Sequence, residues 1–439
     1  MFFDDNILLH SKTAVALYQK IKDLPIIDYH CHLDQNMIKD NAKFSDIGEL
    51  WLAGDHYKWR AMRLCGVDER YITGGASFHD KFIKYAEIVP QLIGNPLYYF
   101  THLELKQIFG ICEPLNAESA ERIYKQANEK MKTLSVQDIL NQFKVEYIAT
   151  TDDPCDSLSA HGKYGNTTIA PTFRPDKAYH PDEYTAKLEA AVGRKITSAK
   201  GYLQALTERW DFFVSKGCKI TDHGFEKFPA TYVDDDTAEK LFAKRDSLNG
   251  QELEQFFGWL LVKLAKEYKK RNLVMQLHFA VIRNNNRTMY EQCGADSGFD
   301  LIGKQQNVKD IVTFFNQVSD EERPETVLYT LNDNNLSAIA CITGAFRHVR
   351  MGAAWWFNDT VEGIKHNLSI ISEYSALGNN LGMLTDSRSF SSYCRFDFFR
   401  RILSDFLGGF VEKGEYPLEA AIQTASNICY YNAKEVLGI

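Results

Sequence analysis

His30 and His32 stand two residues apart in PIIDYHCH (25–32), at the end of a short apolar run. On a β-strand, positions i and i+2 project from one face, so two imidazoles placed this way can grip a single divalent ion. Asp386, in GMLTDSR, ends a similar run near the C-terminus and offers a carboxylate. Two imidazoles and a carboxylate suit Zn2+ or a similar divalent ion and leave coordination positions open for substrate. The plainer use of Asp386 is as a helix N-cap after a strand. Arg388 follows two residues later, and Arg174 ends the run TIAPTFR. Either guanidinium alone is an ordinary surface ion-pair partner. Two of them beside a metal site point to an anionic substrate, because the planar fork binds carboxylates bidentately.

Further polar groups end other runs: Asp222 and His223 in CKITDHG, and His278 in LVMQLH. They are candidate ligands, orienters of ligands, or hydrogen-bonded structure. Trp355 and Trp356 are adjacent, so alternation sends one into the core and lets the other wall a pocket for a polyhydroxylated substrate with apolar faces. GDHYKWRAMR places His56, Tyr57, Trp59, Arg60 and Arg63 within ten residues. This reads as a helix start with a basic face, or as a lid that brings Tyr57 over the metal.

These groups need elements to hold them. Eight apolar, β-rich runs occur at 25–32, 145–153, 168–174, 218–224, 273–278, 326–331, 351–359 and 380–388. Stretches with helical periodicity lie between them, among them 258–272 and 308–320. Alternating strand and helix predicts a parallel sheet. Eight strands with their chemistry at the C-terminal ends predict an α/β fold of the (β/α)8 TIM-barrel type, with strand eight beside strand one. An open, doubly wound sheet is the competitor, but no G-x-G-x-x-G or Walker A sequence supports it. Residues 33–144, between the first and second strands, are too many for a loop. They read as a mostly helical insertion, with helices over 117–131 and 135–143, that leaves a C-terminal strand end and covers the barrel mouth. The expected organisation is a barrel from 1–32 and 145–439 and an insertion from 33–144.

Composition narrows the function classes. The 439 residues are 45% hydrophobic and 25% charged, which excludes a mainly disordered chain. A net charge of -8 lacks the basic footprint of a nucleic-acid binder. No apolar run approaches a membrane span, and the start MFFDDNILLH carries aspartates where a secretion signal needs basic residues. Nine cysteines without a Cys-x-x-Cys pair read as reduced thiols. The expectation is a cytoplasmic enzyme with a small-molecule substrate, no nucleic-acid or membrane partner, and a surface compatible with a homo-oligomer.

The motifs together resemble the uronate isomerases (glucuronate isomerases) of the amidohydrolase superfamily, almost end to end. They are DYHCHL (28–33), DHYKWRAMR (55–63), PTFRPDK (171–177), TDHG (221–224), QLH (276–278), WWFND (355–359), LTDSRSF (384–390) and ICYYNAK (428–434). His-x-His alone marks only the superfamily, whereas DHYKWRAMR, WWFND and LTDSRSF together are specific. The resemblance implies interconversion of D-glucuronate with D-fructuronate, and of D-galacturonate with D-tagaturonate. It implies one metal ion held by His30, His32 and Asp386, with Arg174 and Arg388 on the acid end and neighbouring oxygens of the hexuronate. It makes Tyr57 a proton shuttle and puts His56, Asp222, His278, Trp355 and Trp356 in the pocket wall. A single metal agrees with the strand-four end, which has no lysine to be carbamylated.

Moving hydrogen from C2 to C1 needs a base and stabilisation of an enediolate. Asp386 is the candidate base, working through a cis-enediol with Tyr57. A metal-bound carboxylate is a poorer base than a free one, so either its non-ligating oxygen acts or another group is the base. Two rivals stand beside this reading: a metal-dependent hydrolase of a lactone or amide using activated water, and a non-catalytic carbohydrate-binding protein.

Overall fold

The strand β1 (Ile26–Cys31) is buried at every position, as a parallel strand covered on both faces must be. The computed structural model describes residues 2–439. Along the chain follow β2 (Val145–Asp152), a short β3 (Gly162–Tyr164), β4 (Thr167–Phe173), β5 (Ile220–Gly224) and β6 (Val274–Phe279). A small hairpin of β7 (Val281–Ile282) and β8 (Leu301–Ile302) precedes β9 (Thr326–Thr330) and β10 (Val349–Met351). Seven strands form one parallel sheet in the order β1-β2-β4-β5-β6-β9-β10, and β3 folds back antiparallel onto β4.

The curled sheet closes through the eighth segment. Residues 380–388, expected as a strand, form no ladder, because Gly382 (φ +72°) and Asp386 (φ +45°) are left-handed and interrupt the extended backbone. The segment still bonds to β1: Asp386 N–H donates to the His30 carbonyl at 3.0 Å, and His32 N–H to the Ser387 carbonyl at 2.9 Å. The barrel expectation therefore holds with an irregular last stave. The strand expected over 351–359 also differs, since β10 stops at Met351. Gly352 lies so close to Tyr329 that an added Cβ would sit 2.1 Å from its ring, and Trp356–Asn358 turns into a 3-10 helix. Trp355 and Trp356 thus lie beyond the strand, not at its end.

Ile27, Tyr147, Ala170, Val274 and Val327 fill the barrel interior, while Phe173, Leu277 and Phe279 face outward onto Trp210 and Leu264 of the helix layer. The helices over 258–272 and 308–320 extend over Gly250–Lys270 and Val308–Asn316. A capping box of Asn249 and Glu252 sets the first start, and Asn307 caps the second. Between β1 and β2 the chain is helical, including His56–Leu64, Pro96–Glu104, Ala120–Met131 and Val136–Gln142. Asp55 fixes the first of these by accepting from the N–H groups of Tyr57 and Lys58. Lys58, fully buried, pairs with Asp55 at 2.9 Å and Glu104 at 3.5 Å and so ties that helix to the helix Pro96–Glu104.

Candidate active site

A bulge aims the two histidines. Along β1 and β2 the pair Asp28 and Ile148 is followed by Cys31 and Thr150, three residues against two, so β1 carries one extra residue. Ile27 and Tyr29 face the barrel interior, and strict alternation would send His30 and His32 toward the helix layer with Ile26, where Cys31 lies instead. The bulge turns both back inward. There His30 Nε2 and His32 Nε2 each lie 3.1 Å from the same oxygen, Asp386 Oδ1. Donors on one tetrahedral zinc ion are separated by about 3.3 Å, so the three atoms fit a common ion. The Thr151 hydroxyl donates to the Cys31 carbonyl at 3.1 Å and so accepts from His32 Nδ1 at 2.6 Å. That leaves the Nε2 lone pair free, the arrangement ligating histidines use. Burial lowers the His32 pKa to about 4, which keeps the ring neutral. Burial acts to raise the Asp386 pKa, but the contacts of His30 and His32 with the carboxylate hold it well below the ordinary carboxylate range.

A second group of ligating atoms shares His30 and adds Asp222 and His278. Asp222 is already neutralised, with Oδ1 2.6 Å from His278 Nδ1 and Oδ2 3.0 Å from Arg174 Nη1. His278 Nδ1 donates to this carboxylate, and its Nε2 is left without a partner. Arg174 also pairs with Asp176 at 2.7 Å, and its Nη2 occupies the space beside Gly224, where a Cβ would lie 2.6 Å away. His223 points the other way, its Nδ1 2.5 Å from the Tyr179 hydroxyl under the helices, so it has no part in the site.

From the helical segment, Tyr57 reaches Asp386, its hydroxyl 3.4 Å from Oδ2. Trp355 Nε1 donates to that same oxygen at 2.8 Å. Both tryptophans line the cavity and both are buried in the core cluster of the barrel interior, so the division between them that alternation predicted does not appear; Trp356 sits at φ +51° beside His56. Burial first, then Arg388, lowers the His56 pKa to about 4. Arg388 is held by Asp296, Nη2 to Oδ2 at 2.9 Å. Asp296 comes from the excursion after β7, with Arg283 3.8 Å from its other oxygen. Sequence reading missed Asp296, Arg283 and Thr151; only Thr151, at a strand end, carried a usable signal. The cavity, about 460 Å3, opens at the C-terminal ends of the strands. A hollow of about 620 Å3 at the opposite end, beside Glu325 and His348, gathers no comparable ligand set among the described residues.

The sequence profile of glucuronate isomerases matches residues 1–437. The chain belongs to the glucuronate isomerase family. Uronate isomerases of Caldanaerobacter subterraneus and Caldicellulosiruptor saccharolyticus are similar to it at 42% and 41% identity, over all of this chain and 99% of each relative. The crystal structure of the uronate isomerase of Thermotoga maritima superposes over the full length of both chains, with 34% identity and a TM-score of 0.96. As a glucuronate isomerase the chain is an intramolecular oxidoreductase acting on a small uronate, converting D-glucuronate and D-fructuronate into one another. Family membership does not favour the hydrolase alternative. No helix among the described residues is long and apolar enough to cross a membrane.

Proposed function

We propose that this isomerase works by proton transfer, with His30, His32 and Asp386 holding one divalent ion, Zn2+ by the chemistry of its donors. When bound, the ion polarises substrate oxygens and stabilises charge developing on them. The observation that carries the reading is the split of Asp386: Oδ1 faces the two imidazoles, and Oδ2 faces Tyr57 and Trp355. A carboxylate so divided can ligate with one oxygen and exchange protons with the other, which answers the objection that a ligand is a weak base.

Asp386 Oδ2 takes the proton from C2 of the aldose while the Tyr57 hydroxyl gives its proton to O1, forming the cis-enediol. Tyr57 then takes the proton from the C2 hydroxyl, and Asp386 returns its own to C1, giving the ketose. Arg174 and Arg388 hold the acid end and neighbouring oxygens of the substrate. His56, Asp222, His278, Trp355 and Trp356 shape the wall, His278 Nε2 accepting from a sugar hydroxyl. The same site accepts D-galacturonate and yields D-tagaturonate. Residues 33–144 act as a lid on the barrel of 1–32 and 145–439, excluding water from the enediol. Nine unpaired cysteines support a reducing, cytoplasmic setting.

The test is to incubate pure protein with D-glucuronate and follow the keto sugar, before and after chelation. Turnover should vanish on chelation and return with Zn2+. Undiminished turnover in the fully metal-free protein would overturn the reading.

A further inference from the structure

Arg395, the second residue of the helix Cys394–Glu412, is 1% exposed and lies outside the wall of the active-site cavity. A buried guanidinium is normally held by a carboxylate, since an unpaired interior cation is costly. Among the described residues no carboxylate oxygen reaches Arg395 at ion-pair distance. The guanidinium instead lies between two rings, 4.9 Å from the centre of Tyr57 and 4.8 Å from that of Phe100, both carried by helices of the segment between β1 and β2. Among the described residues its one hydrogen bond runs from Nη1 to the Thr385 carbonyl at 3.0 Å, and its Nε has none.

That single bond falls on an informative peptide. The Thr385 carbonyl and the Asp386 N–H belong to one rigid plane. On its other side Thr385 is fixed by Asp28, which accepts from its N–H at 2.9 Å and its hydroxyl at 2.6 Å. Arg395 and Asp28 therefore hold the peptide that delivers Asp386 into its left-handed turn, at φ +45°. The same guanidinium presses on the Tyr57 ring, whose hydroxyl must stay within reach of Asp386 Oδ2.

We propose that Arg395 is a positioning residue for the isomerisation, a clamp that joins the Tyr57 ring to the Thr385–Asp386 peptide. The inference rests on the roles given above to Tyr57 and Asp386. Arg395 touches no substrate. It keeps a phenol from one segment and a carboxylate from the barrel in one geometry, and small displacements of reacting groups cost rate more than binding.

The test is a double-mutant cycle on the holoenzyme, with kcat and KM for D-glucuronate, metal per chain and thermal midpoint measured for each variant. Arg395→Met should lower kcat about 30-fold with KM changed less than about threefold and metal content unaltered. In the Tyr57→Phe background the same change should cost only about threefold, the part exerted through Thr385. Arg395→Lys keeps the cation and loses the planar fork, so its kcat should fall between the two. If Arg395→Met does not fold, the cycle is run with Arg395→Lys, whose loss of about fivefold should largely disappear beside Tyr57→Phe. Equal losses in both backgrounds would make Arg395 a structural plug and overturn the inference alone. Wild-type turnover in Tyr57→Phe would overturn the role of Tyr57 itself, and the clamp with it.

Discussion

The hydroxyl of Tyr57 lies 3.4 Å from Asp386 Oδ2, the carboxylate oxygen turned away from His30 and His32. The two residues are 329 positions apart and meet because the helix starting at His56 lies over the closing stave of the barrel. One carboxylate thereby faces two imidazoles on one side and a phenol on the other.

Asp386→Asn keeps the size of the side chain and removes both its charge and its basicity. Turnover should fall by at least about a thousandfold, since on the proposed roles a base and a ligand are lost together. Ketose formation and metal content are the measurements. Near-normal kcat with metal bound would remove both roles from Asp386.

On the proposed route through Asp386 the migrating hydrogen would meet solvent whenever the segment 33–144 opens. Product formed in D2O should carry deuterium at C1, read by NMR over repeated turnovers. Tyr57→Phe should slow turnover without raising direct transfer. Complete retention of the original C2 hydrogen in both proteins would point to a hydride shift instead.

Asp296 holds Arg388 at 2.9 Å, so a substrate carboxylate gripped by Arg388 as proposed would compete with it. Asp296→Asn should lower KM for D-glucuronate about fivefold and leave kcat nearly unchanged, because the substrate no longer displaces a charge. Steady-state kinetics decide it. A higher KM would mean that Asp296 orients Arg388 and does not compete for it.

Gly224 leaves room for Arg174: a Cβ there would stand 2.6 Å from Nη2 and 3.1 Å from Asp176 Oδ2. Gly224→Ala pushes on the far end of a flexible side chain, so the thermal midpoint should move little. KM for D-glucuronate should rise about tenfold, in line with a displaced carboxylate grip. An unchanged KM would separate Arg174 from the acid end.

Asp359 makes stability depend on pH. Burial, partly opposed by Arg395, raises its pKa from 3.8 to about 7, and its Oδ1 has no hydrogen-bond partner. Between those values the folded state holds a proton that the unfolded chain has released, so stability falls as pH rises through that window, by at most about 1.4 kcal/mol per unit. Asp359→Asn should remove this slope and unfold at a higher temperature than wild type at pH 8, with the gap closing toward pH 4. Parallel melting curves across the range would show that Asp359 is ionised in the folded state.

The residue types of the site, and their order along the chain, are determined by the sequence alone. Apolar runs bounded by polar groups reveal strands because burial imposes the pattern locally, and in a barrel their C-terminal ends converge. His30, His32, Asp222, His278 and Asp386 could be read in this way, and so could the helix that Asp55 starts before Tyr57. Which way each side chain points was decided only by the tertiary structure. Simple alternation gives His30 and His32 a common face but the wrong one relative to Ile27 and Tyr29, and the bulge against β2 corrects it. The same rule divided Trp355 from Trp356, whereas beyond β10 the chain leaves the strand and both reach the cavity. Asp296 on Arg388 and Arg395 under Tyr57 had no local signature, because each pair joins segments far apart in the chain. Periodicity reports burial, which is a property of neighbours in sequence; register, closure and burial of a charge depend on which distant segments arrive, and only the packed barrel sets that.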